Sequence, residues 1–179
     1  MKKAYLIAIL FAGLGLSAKA QKLEKPRIDK LSGDTTWKTS MEKLYQKSNL
    51  MGQRQTAFVY AEKLKSGYAL FLSVGMLNGP NSSVFSVPAG AKAHFKLADN
   101  SIVVLSNVLS QVSKNSVDQT GTEGYAVPCY PLSKSDIEKL SKSTITFVRV
   151  EASDLIFDYD IKEDKANLIA KTVSLIATK

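Results

Sequence analysis

Cysteine and histidine are nearly absent: the 179 residues hold one of each, Cys129 and His94. One cysteine excludes an internal disulfide, the staple that small exported domains use when their core is too small. One histidine excludes a zinc site built from several imidazoles. The chain has no G-x-S-x-G elbow, H-E-x-x-H helix, Walker loop or G-x-G-x-x-G turn, so the nucleophile, zinc-protease and nucleotide signatures are all missing. Tandem repeats and Pro- or Ser-rich linkers are missing too, which leaves one domain as the expectation. Nucleic acid is a poor partner for a chain without a recognisable binding motif.

Long apolar runs are also lacking. The longest, residues 4–16, is too short for a membrane span, which takes about 20 residues. What precedes and follows this run is informative. Lys2 and Lys3 stand before it, and Ser17-Ala18-Lys19-Ala20 follows with small residues at the two positions of an A-x-A site. That order of charge, apolar core and small-residue exit predicts a signal peptide over residues 1–20, cleaved between Ala20 and Gln21. The expected location is periplasmic or secreted. No cysteine follows the run, so no lipid attachment is expected.

Cleavage would leave residues 21–179, one globular α+β domain with a loose N-terminal lead-in. A domain near 150 residues buries about 68–70% of its unfolded surface, enough to hold together without staples. The formal charge of +8 drops to +5, because Lys2, Lys3 and Lys19 leave with the signal. Residues 21–70 carry ten basic and five acidic side chains, while the rest is balanced. That segment can attract anionic surfaces weakly. Its lysines are scattered, as on an ordinary solvated surface.

The pattern along the chain is mostly that of strands. Residues 35–40 are β-branched and aromatic, suiting a pleated surface. Residues 41–50 read as a helical turn or two, with Met41, Leu44 and Tyr45 on one face. Residues 57–61 and 68–74 flank a Lys/Ser/Gly turn as a hairpin does. A turn cluster at 78–83 and a short strand at 84–87 follow. In residues 91–97 apolar side chains alternate with Lys92, His94 and Lys96, the period of a half-buried strand. Residues 98–101 turn it into a second strand, 102–109. Residues 110–124 are polar and resemble a mobile loop, parts of which could extend the sheet. Pro128 and Pro131 mark residues 125–132 as an edge or a strand end. Ser133 with Asp136, or Ser135 with Glu138, has capping-box spacing. Strands at 144–150 and 155–161 precede an amphipathic helix. The expected fold is α+β: a mostly antiparallel sheet, a short helix near 134–141, and a C-terminal helix near 163–177 packed on the sheet.

Candidate chemistry is sparse. Cys129 and His94 could form a thiolate–imidazole pair, the arrangement a nucleophile needs. Yet neither sits in a recognisable motif, and lone cysteines are commonly buried and inert. Asp154, Asp158, Asp160, Glu163 and Asp164 could offer oxygen ligands to Ca²⁺, with Asp158, Asp160 and Glu163 the central three. Lys162 and Lys165 offset that charge, and Glu163 and Asp164 also suit the start of a helix. Trp37, Tyr45, Tyr60, Tyr68, Phe71 and Phe85 could line a pocket or fill the core. Arg149 lies in an apolar strand, which places it on a solvent face or against Asp158 or Asp160. No cofactor is called for.

Two stretches carry a resemblance. One is Ile28-Asp29-Lys30-Leu31-Ser32-Gly33-Asp34-Thr35-Thr36 with Lys38-Thr39-Ser40. The other is Leu132-Ser133-Lys134-Ser135-Asp136-Ile137-Glu138-Lys139-Leu140 leading into Ile145-Thr146-Phe147-Val148-Arg149-Val150. They are similar to small exported proteins of unknown function common in Bacteroidetes-type bacteria, and about a third of the chain is covered. The resemblance implies an exported single domain and supplies no catalytic residue. The expectation is a non-enzymatic binding module for an unknown protein or small ligand of the cell envelope. The alternative is a small periplasmic hydrolase using carboxylates.

Overall fold

A long hairpin forms the spine of the fold. Strand β4 (Arg54–Leu64) and strand β5 (Gly67–Leu77) pair along their whole length, from Arg54 opposite Leu77 to Leu64 opposite Gly67. Only Lys65 and Ser66 separate them, and Gly67 closes the turn at φ 132°, a backbone state side chains rarely tolerate. The computed structural model describes residues 21–78, 84–118 and 121–179. The signal-peptide reading for residues 1–20, including Ala20, lies outside the described residues, as does the turn cluster from residue 79 to 83.

Each side of the hairpin is flanked by two strands placed end to end. Beside β4 lie β2 (Thr35–Lys38) and β3 (Glu42–Ser48). Beside β5 lie β11 (Gly121–Ala126) and β12 (Cys129–Leu132), with Pro128 in the gap between them. The carbonyl of Pro128 still accepts from the Leu72 N–H at 3.4 Å, so the kink costs β5 no partner there. Strands β1 (Arg27–Ile28) and β10 (Lys114–Asp118) pair outside β2 and β11 and complete this large sheet.

A smaller sheet runs β14 (Ile156–Asp160), β13 (Ile145–Glu151), β7 (Lys92–Leu97), β8 (Ile102–Ser106). A short pair, β6 (Ser86–Val87) with β9 (Gln111–Val112), stands apart, and every pairing is antiparallel. The expected α+β class with a mostly antiparallel sheet and two helices is what the chain adopts.

The core lies between the sheets. Val59, Leu70, Leu72 and Val74 of the large sheet join Phe95, Val148, Phe157 and Tyr159 of the small one in a single buried cluster. The Tyr45 and Tyr159 rings meet at 4.9 Å, and the Tyr159 hydroxyl donates to the Thr56 carbonyl at 3.4 Å. On the opposite side the Val108 N–H donates to the Cys129 carbonyl at 3.0 Å.

Helix α1 (Lys134–Ser141) starts on the Ser133–Asp136 capping box, as its spacing predicts. Helix α2 (Leu168–Ala177) inserts Ile169, Val173 and Ile176 into the core, all fully buried. The helix expected from 163 is not continuous: Glu163–Lys165 is one 3-10 turn, and α2 begins only after it.

Three other segments differ from their sequence pattern. Residues 41–50 are not helical; Glu42–Ser48 form β3. A register shift between Lys43 and Tyr45 lets both Leu44 and Tyr45 turn inward, and this bulge imitates helical spacing. Much of the polar stretch 110–124 is paired strand, in β9, β10 and β11. The extended lead-in is pinned rather than loose: Leu23 bridges Thr39, the Glu24 N–H donates to the Lys38 carbonyl, and β1 pairs with β2. Among the described residues no helix is long and apolar enough to cross a membrane.

Candidate functional site

The residues singled out by type do not gather into one centre. Cys129 is buried on β12, and burial pushes its thiol pKa up, away from the reactive thiolate, with Glu62 adding to the effect. The His94 imidazole instead meets Glu151, with Nε2 3.1 Å from Oε1. No hydrogen bond joins His94 to Cys129. Of the calcium candidates, Asp158 is engaged by Arg149 in a two-pronged pair, Nε to Oδ1 and Nη2 to Oδ2, both at 2.7 Å. Asp160 and Glu163 are exposed, and no group of three metal-ligating side chains occurs among the described residues. Gln21 holds the N-terminal segment in place: its Nε2 donates to the Ser40 carbonyl, and its Oε1 accepts from the Thr172 hydroxyl at 2.8 Å.

The ion pairs on the small sheet make its outer face pH-sensitive. Hydrogen bonds from His94 and then from the Lys92 N–H hold the Glu151 carboxyl below its ordinary range. Arg149 does the same for Asp158. Carboxyl groups depressed in the folded state add stability above their unfolded pKa and lose it as pH falls through the folded value. The melting temperature should therefore fall as pH drops from about 5 to about 3. Asp158→Asn should flatten part of that fall in a pH series of thermal melts. An unchanged slope would show the pair to be energetically silent, as many exposed pairs are.

A different constellation forms on the outer face of the large sheet. Strand register draws five residues into one row: Gln46 opposite Thr56, Thr56 opposite Gly75, Gly75 opposite Tyr125, and Tyr125 opposite Lys114. With strands about 4.8 Å apart, this row is about 19 Å long. Gly75 stands buried in the middle of it. A Cβ there would stand 2.7 Å from the Thr56 hydroxyl, so glycine is what lets Thr56 pack so closely against β5. The next row holds Lys43, Phe58 and Ser73; the one on the other side places Arg54 and Glu123 across Leu77.

These rows enclose an open groove of about 450 Å³ lined by Phe58, Tyr125, Gln46, Arg54 and Glu123, among others. Arg54 Nη2 lies 3.5 Å from Glu123 Oε1, and Lys43 Nζ donates to Gln46 Oε1 at 2.8 Å. Arg54 Nε is buried without a hydrogen-bond partner.

Neither aromatic wall is among the six aromatics singled out by type. Of those six, Phe85 packs on Phe157 in the core and Tyr60 stacks flat on Phe71 at 4.8 Å, with Lys38 over its ring. Burial, with Glu62 second, pushes the Tyr60 hydroxyl up to about 12. The groove residues are spread over four strands, β3, β4, β5 and β11, which hides them in sequence. One signal could have found them: Gly75 inside an apolar strand, the usual mark of a close approach.

A wider hollow of about 990 Å³ follows α2, but it has no aromatic lining residue. Its polar groups tie chain segments together, Gln21 as above and Asn167 through the Thr144 hydroxyl at 3.1 Å. The outer-face groove is therefore the better site. No family model, curated protein or solved structure matches the chain.

Proposed function

We propose that this chain is an exported, non-enzymatic binding module that holds its ligand across the outer face of the large sheet. The observation that carries the reading is the hollow between the Phe58 and Tyr125 rings, with Gln46, Thr56, Ser73 and Arg54 lining it from neighbouring strands. A concave surface with half-exposed rings and a few convergent polar groups is the ordinary make-up of a binding site. Among the described residues Glu123 is the one carboxylate lining this groove, and Arg54 pairs with it. A hydrolase built on two carboxylates has no pair to use there. The periplasmic or secreted location rests on the pattern of residues 1–20.

The test is backbone NMR on isotope-labelled residues 21–179, titrated with a soluble extract of the native cell envelope. Shift changes are expected to centre on Phe58, Ser73, Gly75 and Tyr125. Changes centred on the small sheet, or on the hollow beside α2, would overturn the reading.

A further inference from the structure

We infer that the ligand of this groove is a linear anionic saccharide lying across the strands and over the ring of Tyr125. The inference rests on the groove being the binding site and adds the class of ligand.

Tyr125 is 41% exposed and lines two hollows. On its far side a second one, of about 300 Å³, is bounded by Gln111, Val112 and Lys114. A ligand that fills both must be extended and must pass over the ring. A compact metabolite would occupy one side only.

Backbone pairing decides between a peptide and a glycan. Recognition of an extended peptide as an added strand takes its affinity from free main-chain groups at a sheet edge. Here β5 lies between β4 and β11, and β11 between β5 and β10. Among the described residues the free edges belong to β3 and β10 at the two ends, and an added strand would run along one of them. A ligand lying across the strands meets side chains instead. Those side chains are two ring faces beside hydroxyl, amide and guanidinium groups. A sugar ring matches that set, with an apolar C–H face for the aromatic ring and a rim of hydroxyls for the polar neighbours.

Charge narrows the class further. Among the described residues lining the two hollows, Lys43, Arg54 and Lys114 stand against Glu123. Arg54 faces Glu123, and Lys43 is held by a neutral amide. Positive charge thus remains at Lys114, one end of the row, and at Lys43, beside the other, where carboxylate or sulfate groups spaced along a sugar chain can meet it.

The experiment titrates the labelled domain with three anionic glycans of different backbone: an oligogalacturonate, a hyaluronan oligomer and a heparin oligomer. A neutral cello-oligosaccharide and a short polyglutamate peptide of similar length run alongside. At least one anionic glycan is expected to shift Phe58, Gly75 and Tyr125 and to bind more tightly than both controls. Tyr125→Ala should weaken that binding about tenfold, whereas Tyr125→Phe should keep most of it. Lys43→Gln with Lys114→Gln should weaken it several-fold and reduce its dependence on salt. Circular dichroism of each variant separates lost binding from lost folding. Equal binding of the neutral glycan would overturn the anionic class, and equal binding of polyglutamate would overturn the saccharide. Shifts away from the groove, or none with any of the three glycans, would overturn the inference. The groove itself fails as a site only if the envelope extract also maps elsewhere.

Discussion

Asn107→Ala is expected to destabilise the domain by about 3–5 kcal/mol, among the largest effects of any single polar substitution. The side chain is 2% exposed. Its Nδ2 donates to the carbonyls of Val87, Pro88 and Leu109 at 3.3, 2.9 and 2.5 Å. Its Oδ1 accepts from the N–H groups of Leu109 and Cys129 at 3.2 and 3.0 Å. One amide thus joins the end of β6, the end of β8 and the start of β12, where the two sheets approach. Alanine would leave the Val87 carbonyl and the Cys129 N–H, both in buried residues, without this partner, at about 1–3 kcal/mol each. Urea unfolding followed by the fluorescence of Trp37 gives the number. Asn107→Asp adds a check of mechanism. At neutral pH its carboxylate would face three carbonyl oxygens, and protonation would restore one donor. The deficit of Asn107→Asp relative to the parent should therefore shrink on acidification, and a deficit independent of pH would count against this account.

Phe157→Ala should cost a similar amount, about 3–5 kcal/mol. Phe157 is 1% exposed and lies 4.9 Å from the Phe85 ring and 6.3 Å from that of Tyr159. Its loss would open a void where the small sheet seals the large one. Phe157→Leu keeps more of the volume and should cost less than about half as much. A lower urea midpoint with an unchanged slope is the expected form of the result. A loss below about 1 kcal/mol for the alanine variant would mean that the small sheet does not close the core.

Much of the fold was legible in the residues. The hairpins of β4 with β5 and β7 with β8 follow from alternation and turn chemistry, which act over a few residues. The same holds for the capping box at Ser133, and for the pairing of Arg149 with Asp158 across a hairpin nine residues apart. What misled was local departure from period two. The bulge at Leu44 placed two neighbouring apolar side chains inward and read as a helix. β10 was hidden for another reason. Its side chains from Lys114 to Val117 are exposed, so no core-facing pattern marks it as a strand.

The candidate groove was less legible still, because register creates it. Gln46, Thr56, Gly75, Tyr125 and Lys114 are distant in sequence and meet only when five strands are aligned. Residue types chosen for intrinsic reactivity pointed elsewhere, to Cys129, which is buried, to His94, which meets Glu151, and to the acidic cluster, of which Asp158 pairs with Arg149. Gly75 was the one local sign, since a missing side chain in an otherwise bulky strand asks for an explanation.

The position of α2 has a consequence for how the chain matures. Ile169, Val173 and Ile176 are fully buried against the long hairpin, and Thr172 reaches back to Gln21 across 151 residues. A chain that emerges N-terminus first can form the β4–β5 hairpin early, but it must leave the underside of that hairpin open. The final helix arrives last and fits like a keystone. Until then the face of the hairpin that α2 covers stays open to solvent.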